Sequence, residues 1–299
     1  KQKTAYEIMP SLVGSEMCIR DSLWNLTADG AIKSSPLVAL SSVIFTTYGG
    51  SVYRVDPDSG IVAWKKKVSE SWIHTSPSFS EGRVFFGGCD GNLYCLSLST
   101  GELLWNFTAS YIPSSPAVSG GRVYFGSYDQ YLYCLNSTRG ALIWKTRLGG
   151  GIYSSPAVGD GLVVVGCDDG KMYSLRADNG EIVWSCGLSR RAVKSSPALL
   201  KGAVIAGTER GIVLISSENG SITSELLTGD TGESSPAIFG GEIYWGDKTG
   251  YIRCAHIKRT LEDDEIDEGG GGVDYLPLLL LPALLIIIII LLHFRRRRG

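Results

Sequence analysis

Tyr153–Val158 reads YSSPAV, and the Ser-Ser-Pro at its centre returns along the chain. Copies stand at Ser34–Pro36, Ser114–Pro116, Ser195–Pro197 and Ser234–Pro236, with a Thr-Ser-Pro variant at Thr75–Pro77. The six prolines Pro36, Pro77, Pro116, Pro156, Pro197 and Pro236 are spaced 41, 39, 40, 41 and 39 residues apart. A fixed period of this length marks an array, a solenoid or a propeller.

A second mark keeps the same beat. Trp24, Trp64, Trp105, Trp144 and Trp184 are 40, 41, 39 and 40 residues apart. Four of them follow a glycine four residues earlier, as in SGIVAW, TGELLW, RGALIW and NGEIVW; the next copy, NGSITS, carries Ser224 instead. Between the two marks lie paired apolar runs such as RVFFGGCDGNLYCL, RVYFGSYDQYLYCL and LVVVGCDDGKMYSL. A polar pair such as Asp-Gly between β-rich runs is a hairpin signal. Each unit therefore reads as four short strands: one at SSP, two in the hairpin and one at the tryptophan. Four strands in roughly 40 residues is the arithmetic of a propeller blade, and no helical periodicity competes with it.

The pieces SSPAV, VYFGSYDQYLYCL and TGELLW resemble the pyrroloquinoline-quinone-like (PQQ-like) repeat, over about Leu23 to Lys258. WD40 repeats share the period, but their Trp-Asp and Gly-His signatures are absent. The resemblance implies an all-β propeller of about six four-stranded blades, or part of a seven- or eight-bladed ring. It also implies that Trp24, Trp64, Trp105, Trp144 and Trp184 dock blade on blade. The array starts and ends out of phase. Leu23–Ala28 (LWNLTA) matches Leu104–Ala109 (LWNFTA), a fourth strand, while the last copy supplies three. The first strand is therefore expected to complete the last blade and remove an exposed sheet edge.

The flanks differ from the repeats. Residues 1–22 have no repeat pattern; they resemble translated sequencing-library adapter and are set aside as a non-native or disordered leader. Residues 259–275 form an acidic, glycine-rich linker that cannot pack a core. Leu276–Phe294 is an uncharged run of 19 residues, followed by Arg295–Arg298 in a basic tail, 295–299. That length spans a hydrocarbon core of about 30 Å as a helix, and the arginines fit a cytoplasmic stop-transfer cluster. The expected topology is a single-pass membrane protein with the propeller extracytoplasmic or luminal; a cytoplasmic propeller is the alternative. Four of the six asparagines, Asn25, Asn106, Asn136 and Asn219, sit in N-x-Ser/Thr sequons, which suits a luminal surface.

Residues 23–258 carry 20 Lys+Arg and 20 Asp+Glu, the remainder after 8 basic and 10 acidic residues in the flanks are taken from 28 and 30. Net charge is zero, which leaves no basic footprint for nucleic acid. Cys95, Cys134 and Cys254 occupy equivalent third-strand positions, and Cys89 and Cys167 read as equivalents at the end of the second. Cysteines a blade apart are poor disulfide partners, so all read as small buried fillers. No metal spacing is present, no cofactor is implied, and there is no G-x-S-x-G elbow. PQQ-dependent dehydrogenases pair vicinal cysteines with calcium ligands, and this chain has no adjacent cysteines.

What varies is the residue just before each SSP or TSP: Lys33, His74, Pro113, Tyr153, Lys194 and Glu233. In a propeller these ring one mouth of the channel, and a repeat scaffold builds a binding face from positions that vary. The leading expectation is a non-catalytic, membrane-anchored propeller that binds a protein or small ligand on its loop face. The alternatives are the C-terminal propeller of an adenylate-forming enzyme resembling the β-alanine-activating family, and a degenerate PQQ-dependent dehydrogenase.

Overall fold

The computed structural model describes residues 22–231, 233–258 and 287–289. All regular structure among them is β: six antiparallel four-stranded sheets, each in sequence order. These sheets are the blades, at 37–67, 78–108, 117–147, 157–187, 198–227 and, for blade 6, 237–258 with 287–289. Blade 3 is representative, with strands Ala117–Ser119, Arg122–Gly126, Tyr131–Asn136 and Leu142–Arg147. The first strand begins just after the repeated proline rather than on it, because proline has no N–H to give a ladder.

Alternation dictates the packing. Along the two middle strands of blade 3, side chains point in turn to one neighbouring blade and the other. Val123, Phe125, Tyr133 and Leu135 meet Phe85, Leu93 and Cys95 of blade 2. Tyr124, Leu132, Cys134 and Trp144 meet Val163, Val165, Tyr173 and Leu175 of blade 4. A strand buried on both faces reads as a continuous apolar run, which is why YLYCL has no polar partner set. In blades 1 to 5 the third-to-fourth strand pairing slips by one residue just before the tryptophan position, as between Cys134 and Leu135. A bulge of this kind twists the outer strand; around it Leu103, Leu104, Leu142, Ile143, Ile182 and Val183 stay exposed.

The tryptophans reach from one blade to the next. Each indole N–H donates to a backbone carbonyl of the following blade: Trp24 to Pro57, Trp64 to Leu98, Trp105 to Ser137, Trp144 to Ala177 and Trp184 to Ser217, at 2.8–3.2 Å. Each ring lies on that blade's turn glycine. A Cβ on Gly180 would sit 2.5 Å from the Trp144 ring, and its φ is +74°. The glycine four before each tryptophan thus serves the preceding blade's tryptophan.

The SSP hydroxyls have separate tasks. The first residue is a cap: buried Ser114, Ser154 and Ser195, and half-buried Ser234, accept the N–H of Gly126, Gly166, Gly207 and Gly246, as buried Thr75 accepts that of Gly87. The second serine reaches across blades. Ser35 N–H donates to Ser76 Oγ, Ser76 to Ser115, Ser115 to Ser155, Ser155 to Ser196 and Ser196 to Ser235, all at 2.9–3.0 Å.

Four expectations change. Leu23–Ala28 does not join the sixth sheet; it packs on Phe45, Tyr53 and Val55 of blade 1, and Ile287–Ile289 pairs with Ile252–Lys258 as the fourth strand of blade 6. Those three residues are strand where a membrane helix over 276–294 was expected; the rest of that run, and the expectations for 1–21, 259–275 and 295–299, fall outside the described residues. Cys254 is exposed while Cys95 and Cys134 are buried, so it fills no core. Cys89 and Cys167 are not equivalents: Cys167 N–H bonds Lys171 as Gly88 N–H bonds Asn92, one position earlier than Cys89. Among the described residues, no helix is long and apolar enough to cross a membrane.

Candidate functional site: the loop face at the channel mouth

Five of the six variable positions join into one chain of contacts. Lys33 Nζ lies 5.9 Å from the Tyr48 ring centre, and Tyr48 is 6.4 Å from His74. His74 stacks on Tyr153 at 6.4 Å and 14°. Lys194 Nζ lies 5.0 Å from the Tyr153 ring and bonds Glu233 Oε1 at 3.0 Å. Pro113, the sixth position, is buried between them. His74 and Tyr153 belong to blades 2 and 4, so their stack spans blade 3, whose compact proline leaves that path open.

A second set of residues completes the face, and the sequence reading missed it. In blades 1 to 4 it comprises the residue two before each mouth position and the second residue past the end of the second strand. A backbone bond of 2.9 Å ties each pair: Tyr48 to Ala31, Cys89 to Trp72, Tyr128 to Tyr111 and Asp168 to Gly151. These positions vary between copies as well, at a constant separation of 17 residues, which is the signal that finds them. They surround His74 with rings. Tyr111 OH lies 2.9 Å from His74 Nε2, Trp72 stacks on Tyr48 at 5.1 Å, and Tyr128 meets Tyr111 edge-on at 6.0 Å. Trp72 is 60% exposed and Tyr128 56%. Large aromatic side chains held this open are a feature of contact surfaces.

Blades 5 and 6 contribute charge instead. A cleft of about 190 Å³ opens there, lined among others by Arg191, Lys194, Glu209, Asp230, Glu233 and Lys248. Arg191–Glu209, Lys194–Glu233 and Lys248–Asp230 are ion pairs at 3.8, 3.0 and 2.8 Å. Being exposed, each adds little stability but gives the face a pattern of both signs. Between the halves sits Asp168, whose Oδ1 is buried and accepts no hydrogen bond from the described residues. Burial raises its pKa against the pull of Lys194. Burial lowers that of His74, and Lys33 lowers it further, which favours the neutral imidazole.

The sequons are distributed over the body. Asn25, Asn106 and Asn219 are exposed, Asn106 on the outer strand of blade 2. Asn136 is half-buried, and its Oδ1 accepts the N–H groups of Thr138 and Arg139 in a turn. Among the described residues, no group of three or more His, Cys, Asp or Glu is placed to hold a metal.

Against this geometry, the model of the family described as outer membrane protein assembly factor BamB matches residues 21–111, 49–136 and 107–250. Two solved structures share the fold. A crystal structure of BamB from Moraxella catarrhalis aligns at a TM-score of 0.67 and 19% identity, over 77% of this chain and 75% of that one. The computationally designed Ika8 protein aligns at 0.67 and 20%, over 76% and 71%. No curated protein sequence matches this one.

Proposed function

We propose, from the premise that this chain belongs to the family of the outer membrane protein assembly factor BamB, that its propeller is a non-catalytic scaffold whose mouth face binds a protein partner. The observation that carries this reading is the polarised face. Blades 1–4 present open rings on a braced base, and blades 5 and 6 present paired charges around a cleft. Aromatic anchors beside a charged rim are the ingredients of a protein contact. The rings are fixed by stacking and by the His74–Tyr111 bond, so little ordering entropy is lost when a partner lands. The family name supports a protein rather than a small molecule as the partner.

Membrane attachment belongs to the same proposal and rests on sequence: the uncharged run Leu276–Phe294 and the four arginines after it. Insertion as a helix withdraws Ile287–Ile289 from blade 6, so anchoring and completion of that sheet exclude each other. A photo-crosslinking residue at Tyr128 tests the face. The expected result is a discrete protein adduct in the native membrane fraction that is lost in a Trp72→Ala background and absent when the probe sits at Thr138, in the exposed turn between the third and fourth strands of blade 3. Adducts of equal yield at both probe positions contradict the reading. Release of the protein by alkaline wash, with no detergent, contradicts the anchor.

A further inference from the structure

Three cations of this chain are held in one way, each between a tyrosine ring and a carboxylate. Lys65 Nζ lies 5.2 Å from the Tyr53 ring centre and 3.0 Å from Asp29 Oδ2. Lys194 Nζ lies 5.0 Å from the Tyr153 ring and 3.0 Å from Glu233 Oε1. Arg253 Cζ lies 5.3 Å from the Tyr251 ring, and its Nε is 2.6 Å from Asp247 Oδ2. The ring offers its negative face and the carboxylate its charge, so two attractions act on one cation.

A fourth tyrosine and carboxylate stand together at the mouth, where blade 3 meets blade 4. Gly151 brings them there. Its backbone lies outside the left-handed region and does not itself call for glycine. In the equivalent places blades 2 and 3 carry Trp72 and Tyr111. A Cβ on Gly151 would stand 2.9 Å from Cδ2 of Tyr128 and 3.1 Å from Oδ2 of Asp168. Ring and carboxylate thus close on the space that a side chain would need. The ring of Tyr128 stays open to solvent, and Asp168 Oδ1 is buried with no hydrogen-bond partner among the described residues. Among those residues no lysine or arginine lies over Tyr128. Lys194 acts on Asp168 through space, but its ammonium is already held by Glu233 and Tyr153. A half-buried carboxylate without a partner costs the fold stability, and an incoming cation removes that cost.

We propose that Tyr128 and Asp168 form the receptor for a basic side chain of the protein partner, an arginine or lysine that completes a fourth set of ring, cation and carboxylate. Resting on the scaffold reading, it names the chemistry of one contact within it. Asp168 repels an acidic side chain, and an apolar one leaves the carboxylate unpaired.

Two measurements on the full chain test the contact. In the first, protein with isotopically labelled tyrosine is titrated by NMR with the capped peptide Gly-Gly-Arg-Gly-Gly and with its citrulline counterpart, which keeps the shape and lacks the charge. The arginine peptide is expected to shift Tyr128 and to bind about ten-fold more tightly, the scale of one charged hydrogen bond. Asp168→Asn is expected to erase that difference. The variant removes an unpartnered charge, so it is expected to melt no lower than the parent. Equal binding of both peptides to the parent, or a difference that survives in D168N, overturns the proposal. In the second, a photo-crosslinking residue replaces Lys33, which is exposed on the same face, and leaves Tyr128 and Asp168 in place. Its protein adduct in the native membrane fraction is expected to be lost in D168N. An adduct that survives there overturns the basic contact and leaves the scaffold reading standing. No adduct in the parent overturns both, even where the arginine peptide binds, because the site then serves a free guanidino compound.

Discussion

Ser154 shows how one side chain reports on the whole array. Its hydroxyl is buried, accepts the Gly166 N–H at 3.1 Å and donates to the Ser195 carbonyl of the next blade at 3.1 Å. Ser154→Ala leaves both groups without a partner in a place water does not reach. Such a loss costs about 1–3 kcal/mol, and urea denaturation is expected to show it as a lower midpoint at unchanged slope. A variant as stable as the parent contradicts the double role. The repeated SSP signal was legible in sequence as a structural mark, and the first serine's short-range bond is the kind such residues make. The second serine was not legible. Ser115 and Ser155 meet across a blade boundary 40 residues apart, and only the closeness of inner strands in three dimensions selects that partner.

At the scale of the element, the outer strand and the turn it covers act as one unit. Trp144 is 8% exposed, packed in the interface between blades 3 and 4, and faces Gly180. Trp144→Ala is expected to cost about 3 kcal/mol through lost burial and the cavity left behind. Gly180→Ala imposes a left-handed backbone on a residue with a Cβ, about 1 kcal/mol, and also drives that Cβ into the ring. With the ring gone, that part of the clash vanishes and only Thr146 Oγ1, 2.8 Å from the Cβ, is left in its way. The double variant is therefore expected to be more stable than the two single effects predict, by 1 kcal/mol or more in a double-mutant cycle. Strict additivity contradicts the contact. The four-strand unit and its tryptophan were readable because two marks hold one period. The partner of the last blade's third strand was not, because LWNLTA has an outer strand's pattern whichever blade it serves. Cys254 was misread for the same reason: position within a repeat gives burial only where a neighbouring blade exists.

For the molecule as a whole, the mouth is where repeats stop agreeing, and that left half of it visible in sequence. The residues before SSP were found because an invariant mark points at them; Tyr48, Trp72, Tyr111 and Tyr128 lie next to no mark. Their assembly around His74 has a consequence for pH. The ring is half-buried among Tyr48, Tyr111 and Tyr153, with Lys33 nearby. Burial first, and Lys33 second, hold its pKa below the ordinary 6.5 of the unfolded chain. Above that value the ring is neutral in both states and its packing contributes in full. As pH falls through 6.5 and on through the folded value, the unfolded chain takes up a proton that the folded mouth resists, so stability is lost. Asp168 shifts the opposite way and favours the folded state at low pH, but it is common to the parent and to His74→Gln and cancels between them. The parent's advantage in melting temperature over His74→Gln is therefore expected to shrink steadily from pH 7.5 to pH 5. An advantage that stays constant over that range places His74 in a solvated setting and removes the braced aromatic base on which the binding face depends.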